Sequence, residues 1–141
     1  MQLIALQNKM KENDGSALIE VMVALVVLLI VLMGLYQAAA LSIDSNMRNL
    51  LRDEAVRIAS DEMNTYRSAP FDGLAVGIIP QQTINRNIRN VAALPFYVNT
   101  TISALDANSK QINMTVMWGW KDRTIAGGNP YTFNTMTVVK R

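Results

Sequence analysis

The chain has 141 residues, half of them hydrophobic, and a net charge of +2 mixed in sign. That is room for one membrane segment and one small domain, and it argues for neither a nucleic-acid surface nor a polybasic membrane face. Cysteine and histidine are absent, which excludes disulfides, thiol nucleophiles, Ser-His-Asp triads, HExxH zinc sites and imidazole acid-base chemistry. The acidic residues of the C-terminal part show no metal-ligand spacing. The composition therefore points away from an enzyme, and no cofactor or metal is expected.

In chain order, a short polar leader, residues 1–15, ends in Lys9-Met10-Lys11-Glu12-Asn13-Asp14-Gly15. From Ala17 to Leu41 the only strongly polar side chains are Glu20 and Gln37. A cleaved secretory signal has an apolar stretch of about 7–15 residues before a small-residue site; this run is longer, and only Ala38-Ala39-Ala40 would mark such an end. A buried soluble helix of this length would show a polar stripe, and none is present. A hydrocarbon core needs about 20 apolar residues as a helix, and Val21 to Leu41 supplies them. Residues 16–41 thus read as a transmembrane helix.

Helical periodicity continues over residues 42–69. Met47, Leu51, Ala55, Ile58, Ala59 and Tyr66 fall on one stripe, and Asp44/Arg48 and Asp53/Arg57 stand at i,i+4 on what reads as a solvated face. No proline or paired glycine intervenes, so the simplest reading is one helix from about Ala17 to about Ser68, ended by Pro70. At 1.5 Å per residue it would be roughly 75–80 Å long, more than twice a bilayer core of about 30 Å, so its second half projects out of the membrane.

Over residues 70–141 the pattern turns extended. Phe71 to Pro80 reads as a loop, and Thr83 to Val91 as a first strand. Phe96, Val98, Ile102 and Ala104 share one face of a second. Ile112, Met114, Val116, Trp118 and Trp120 alternate with Asn113, Thr115, Met117 and Gly119 as the clearest strand. Ala107-Asn108-Ser109 and Gly127-Gly128-Asn129-Pro130 read as turns, and Tyr131 to Val139 as the last strand. The expected fold class is α+β: a long N-terminal helix packed through its stripe on a small antiparallel meander. Trp118 and Trp120 read as packing on one sheet face rather than as a binding surface. Asn99-Thr100-Thr101 and Asn113-Met114-Thr115 match a glycosylation triplet that is common by chance.

Two features carry chemistry. Glu20 is a carboxylate at the edge of a membrane run, a functional candidate by default; the alternative is an anion in a first helical turn, favoured by the macrodipole. Gly15 offers the backbone freedom and steric room that a protease needs; the alternative is an ordinary Asp-Gly turn.

Gly15, Ser16 and Glu20 with the apolar run that follows resemble the N-terminus of type IV pilins and type II secretion pseudopilins. The resemblance implies cleavage between Gly15 and Ser16 by a prepilin peptidase, methylation of the new terminus, and assembly through the apolar helix. Glu20 is the fifth residue counting Ser16 as the first; at that position the family's acid pairs with the N-terminal amine of a neighbouring subunit. A buried carboxylate in an apolar filament core needs a cation, and the new amine supplies one. The implied partners are other pilin or pseudopilin subunits, the peptidase, inner-membrane assembly machinery and membrane lipid. The implied location is the inner membrane, single-pass with an external C-terminal domain, and then the pilus or pseudopilus.

The chain departs from the family's usual pattern in having no basic residue beside Gly15, Ser16 rather than phenylalanine or methionine after it, no proline before Pro70 and no cysteine. These departures point to a minor subunit. The stretch Val116-Met117-Trp118-Gly119-Trp120-Lys121-Asp122-Arg123, with Thr135-Met136-Thr137-Val138-Val139, is similar to the C-terminal hairpin of minor pilins of the pilus-modification type. The expected function is therefore a minor pilin-like structural subunit. A type II secretion pseudopilin is the alternative within the family. A single-pass membrane protein with a non-polymerising external binding domain is the alternative outside it.

Overall fold

The computed structural model describes residues 2–121 and 123–141, with side chains from Gly15 onward. It contains one helix, α1 (Gln2–Ser68), a 3₁₀ turn (Phe71–Gly73), and four strands, β1 (Gly77–Ile88), β2 (Val91–Asp106), β3 (Ser109–Trp118) and β4 (Tyr131–Lys140). The fold is α+β, as the periodicities imply. The chain divides into two compact units, Met1–Ser45 and Asn46–Arg141.

In the first unit α1 begins earlier than the apolar run does. The leader supplies Ala, Leu, Gln, Lys and Met, all good helix formers, and nothing before Gly15 breaks the helix. The leader's side chains lie outside the described residues. From Gly15 to Ile43 every side chain is exposed, including the large apolar ones from Leu18 to Leu41.

In the second unit α1 changes character. Met47, Leu51, Ala55, Ile58, Ala59 and Met63 are buried and Tyr66 is partly so. Met63 continues the 3.6-residue stripe beyond the positions singled out from sequence. The helix stops at Ser68, whose hydroxyl donates to Thr65 O at 3.0 Å. Pro70 then turns the chain into the 3₁₀ turn, where Gly73 N–H donates to Pro70 O at 3.0 Å.

The sheet is an antiparallel meander in the order β1-β2-β3-β4. Its inner face holds Leu94, Phe96, Val98 and Ile102 from β2 and Ile112, Met114, Val116 and Trp118 from β3, all buried against the α1 stripe. Ala104, expected on that face, is exposed. β1 starts at Gly77, inside the stretch that reads as loop, because Pro80 sits in an edge strand at a register shift between Ile79 and Gln82. An edge bulge is one of the few places where a sheet accepts proline. A second shift faces Ala93, whose φ is +53° and whose N–H donates to Asn87 Oδ1 at 2.8 Å.

The hairpin between β2 and β3 turns through Ala107-Asn108. Asn108 N–H donates to Asp106 Oδ1 at 2.7 Å, and this bond, with the Ser109 hydroxyl, holds the Asp106 carboxyl below the usual carboxylate range. The sign follows: its contribution to folding is present above the unfolded carboxylate value and is lost as pH falls through the lower folded one. β3 ends at Trp118. Trp120 lies beyond it in an isolated bridge to Arg123, so the two tryptophans do not share a strand. Trp118 is in the core, stacked at 5.8 Å on Tyr131 and tilted at 6.1 Å from Phe96.

Arg48, Asp53 and Arg57 are exposed, as the solvated-face reading expects, but the pairing differs. Arg57 pairs with Glu54 at 2.7 Å rather than with Asp53, which raises the Arg57 pKa above its ordinary value. Arg86 Nε lies 3.0 Å from the same Glu54 carboxylate, an ion pair by distance without hydrogen-bond direction. Asp44 is buried. Lys110 is in phase with Ile112 and Met114 and so points inward, where its Nζ donates to Phe71 O at 2.8 Å and Leu74 O at 2.7 Å and lies 4.3 Å from the Phe71 ring centroid. It ties the turn after α1 to the sheet. Lys110→Met should cost about 1–3 kcal/mol, the penalty for leaving such acceptors unpaired. Urea unfolding should show it as a lower midpoint, with faster amide exchange over residues 71–74.

Candidate functional site

The candidate site is the α1 segment carrying Gly15, Ser16 and Glu20, all three exposed. Gly15 is helical and its φ is not positive, so the Asp-Gly turn does not form. A Cβ added there would meet nothing within 4 Å. Glycine in a helix interior is worse than alanine by roughly 0.5–1 kcal/mol, so the fold carries a small cost at Gly15 and offers no steric reason for it.

Glu20 is not in the first turn of α1, because the helix already runs from Gln2. The macrodipole account of this carboxylate therefore fails for the intact chain. It applies only if cleavage makes Ser16 the first residue. The side chains flanking Glu20, Leu18, Ile19, Val21 and Val23, are apolar and exposed. Its helix neighbours at i±3 and i±4, Ser16, Ala17, Val23 and Ala24, include no cation. Among the described residues the carboxylate thus stands alone on an apolar stretch of helix, one turn from Ser16.

Residues 10–36 match the family model described as the prokaryotic N-terminal methylation motif. The chain carries a prepilin-type N-terminal motif. This motif is the hallmark of type IV pilin and pseudopilin substrates of prepilin peptidase. The matched span contains Gly15, Ser16 and Glu20 and stops before the stripe that packs on the sheet. The apolar helix that the motif opens fits a single-pass membrane anchor by length and composition. No curated protein and no solved structure matches the chain.

Other residues raised by the sequence take structural places. Asn99 and Asn113 lie mid-strand on the outer sheet face, where their Oδ1 atoms accept hydrogen bonds from Gln81 at 3.0 Å and Gln111 at 2.9 Å. Sequence reasoning passed over Lys110 and Arg86. The signal was there: each is a cation at the period-two phase of inward-facing neighbours, Lys110 with buried Ile112 and Arg86 with half-buried Ile84 and buried Ile88.

The open space at Gly15 separates folding from processing. Gly15→Leu should leave α1 helical by circular dichroism, since the new side chain meets nothing. Cleavage by prepilin peptidase, followed as the mass shift of the membrane-bound chain, should be lost.

Proposed function

We propose that this protein is a minor pilin-like structural subunit, cut between Gly15 and Ser16 and assembled into a type IV pilus-type filament through α1. The observation that carries the reading is the position of Glu20: among the described residues a lone carboxylate on an exposed, unbroken apolar helix, one turn after Ser16 and the glycine before it that the fold does not require. Such a surface is stable in lipid or against other apolar helices, and each Å² removed from water is worth about 25 cal/mol.

In lipid, Glu20 sits near the end of the run and reaches the headgroups. In a filament core it needs a cation. Cleavage creates one at Ser16, and the amine of a neighbouring subunit pairs with Glu20 while the two apolar helices pack side by side. Methylation of that amine keeps its charge. The subunit would wait in the inner membrane with its leader inside and Asn46–Arg141 outside, where the peptidase and the assembly machinery meet it. Ser16 as first mature residue and the lack of any cysteine favour a minor over a major subunit. No residue in the chain is assigned a catalytic role.

Two measurements test this. Mass spectrometry of membrane-extracted protein should find Ser16, methylated, as the N-terminus; an intact leader in cells with active peptidase overturns the reading. Glu20→Ala should leave the sheet unit folded and the anchor inserted, while removing one member of a buried pair costs about 3–5 kcal/mol. Recruitment into sheared filaments, relative to the membrane pool, should therefore fall severely. Equal recruitment of both proteins would sink the pairing role.

A further inference from the structure

β1 and β4 are the two edges of the sheet, and they are built differently. β1 carries Pro80 and two register shifts, features that discourage edge-to-edge pairing. β4 has none of these. It pairs with β3 without interruption from Ser109↔Lys140 to Trp118↔Tyr131, contains no proline, and its single charge is Lys140.

The direction of its backbone groups follows from one bond. Arg141 N–H donates to Asn108 O at 3.0 Å. In an antiparallel ladder, hydrogen-bonded pairs recur at every second residue. They therefore fall at Lys110↔Val139, Ile112↔Thr137, Met114↔Thr135, Val116↔Phe133 and Trp118↔Tyr131. The N–H and C=O groups of Thr132, Asn134, Met136, Val138 and Lys140 point the other way, off the edge of the sheet. Among the described residues no side chain or loop backbone takes up these groups. Beside them runs a groove between α1 and β4, with Val56, Ser60, Met63 and Arg67 on the helix side and Phe133 on the strand side.

We propose that β4 is a docking edge that accepts an extended segment of another polypeptide as a fifth antiparallel strand. Alternate side chains of that segment would fall over the groove, so they are apolar where they meet Val56 and Met63. The groove and the edge carry Arg67 and Lys140 and no carboxylate. Arg67 places Nε and Nη2 on Thr137 Oγ1 at 3.0 and 2.9 Å, and a guanidinium has further N–H groups to offer. The segment therefore carries an acid at the Arg67 end.

A second copy of this chain does not fit. The β4 strand of that copy carries Lys140 and no carboxylate, so it would bring no acid to Arg67.

The probe is a synthetic ten-residue peptide of alternating valine and threonine with an N-terminal glutamate, the end that an antiparallel strand brings to Thr137 and Arg67, added to the full chain in detergent micelles. Amide hydrogen exchange resolved by residue should slow at Thr132, Asn134, Met136 and Val138 and stay unchanged at Phe133, Thr135 and Thr137, already held by β3. Asn134→Pro removes an outward N–H without touching the β3 ladder and should weaken binding roughly tenfold, the equivalent of one or two hydrogen bonds. Where that variant loses its fold, the alternating exchange pattern of the wild type decides alone. Glu20→Ala should bind the peptide as wild type does, so a failed filament role and a failed edge are separate results. No slowing at the four outward amides, or undiminished binding by folded Asn134→Pro, overturns the proposal.

Discussion

The packing of the Leu51–Ala55–Ile58 stripe on the inner faces of β2 and β3 is the contact on which the sheet unit depends. A four-stranded meander has one apolar face and no second sheet to cover it. Phe96, Ile112 and Val116 are fully buried because a helix lies over them, and that helix is the continuation of the apolar run. A sheet of this size exposed to water on both faces would not hold together. One helix therefore meets two environments. From Ala17 to Leu41 its surface is apolar apart from Glu20 and Gln37; from Met47 it is apolar on one side only, and the change needs no break in the backbone.

The charges are arranged around that contact. Glu54 gathers Arg57 from its own helix and Arg86 from β1, at the margin of the core. Lys110 reaches from β3 to the carbonyls of the turn after α1, and Arg141 reaches Asp72 in the same turn at 3.0 Å. The start of β3 and the C-terminal residue are thus tied to one turn. The exposed pair at Arg141 contributes little on its own, as surface ion pairs do. Lys110 contributes more because its partners are backbone carbonyls with few other donors.

The N-terminal site differs in kind. Nothing in the fold of the sheet unit depends on Gly15 or Glu20. Among the described residues Gly15 makes no close approach to anything, and Glu20 has no cation among its helix neighbours at i±3 and i±4. Both fall within the matched methylation motif; in the function proposed, their partners are a peptidase at Gly15 and a neighbouring amine at Glu20.

What the sequence by itself determined is what rests on local period and on the absence of residue types. The apolar run, the stripe from Met47 to Tyr66, the stop at Pro70, the alternation in β3 and the motif around Gly15 are all one-dimensional patterns, because helix and strand repeat at fixed intervals. Tertiary structure decided what depends on which neighbour arrives from far along the chain. Pro80 entered a strand because β1 fell at an edge. Arg86 found Glu54, and Lys110 found the 3₁₀ turn, through contacts that no local spacing contains. Trp120 left the strand that its phase suggested when β3 ended at Trp118. The outward set of β4 amides was set by ladder parity, since only the pairing partner fixes which backbone groups of a strand are used and which remain free.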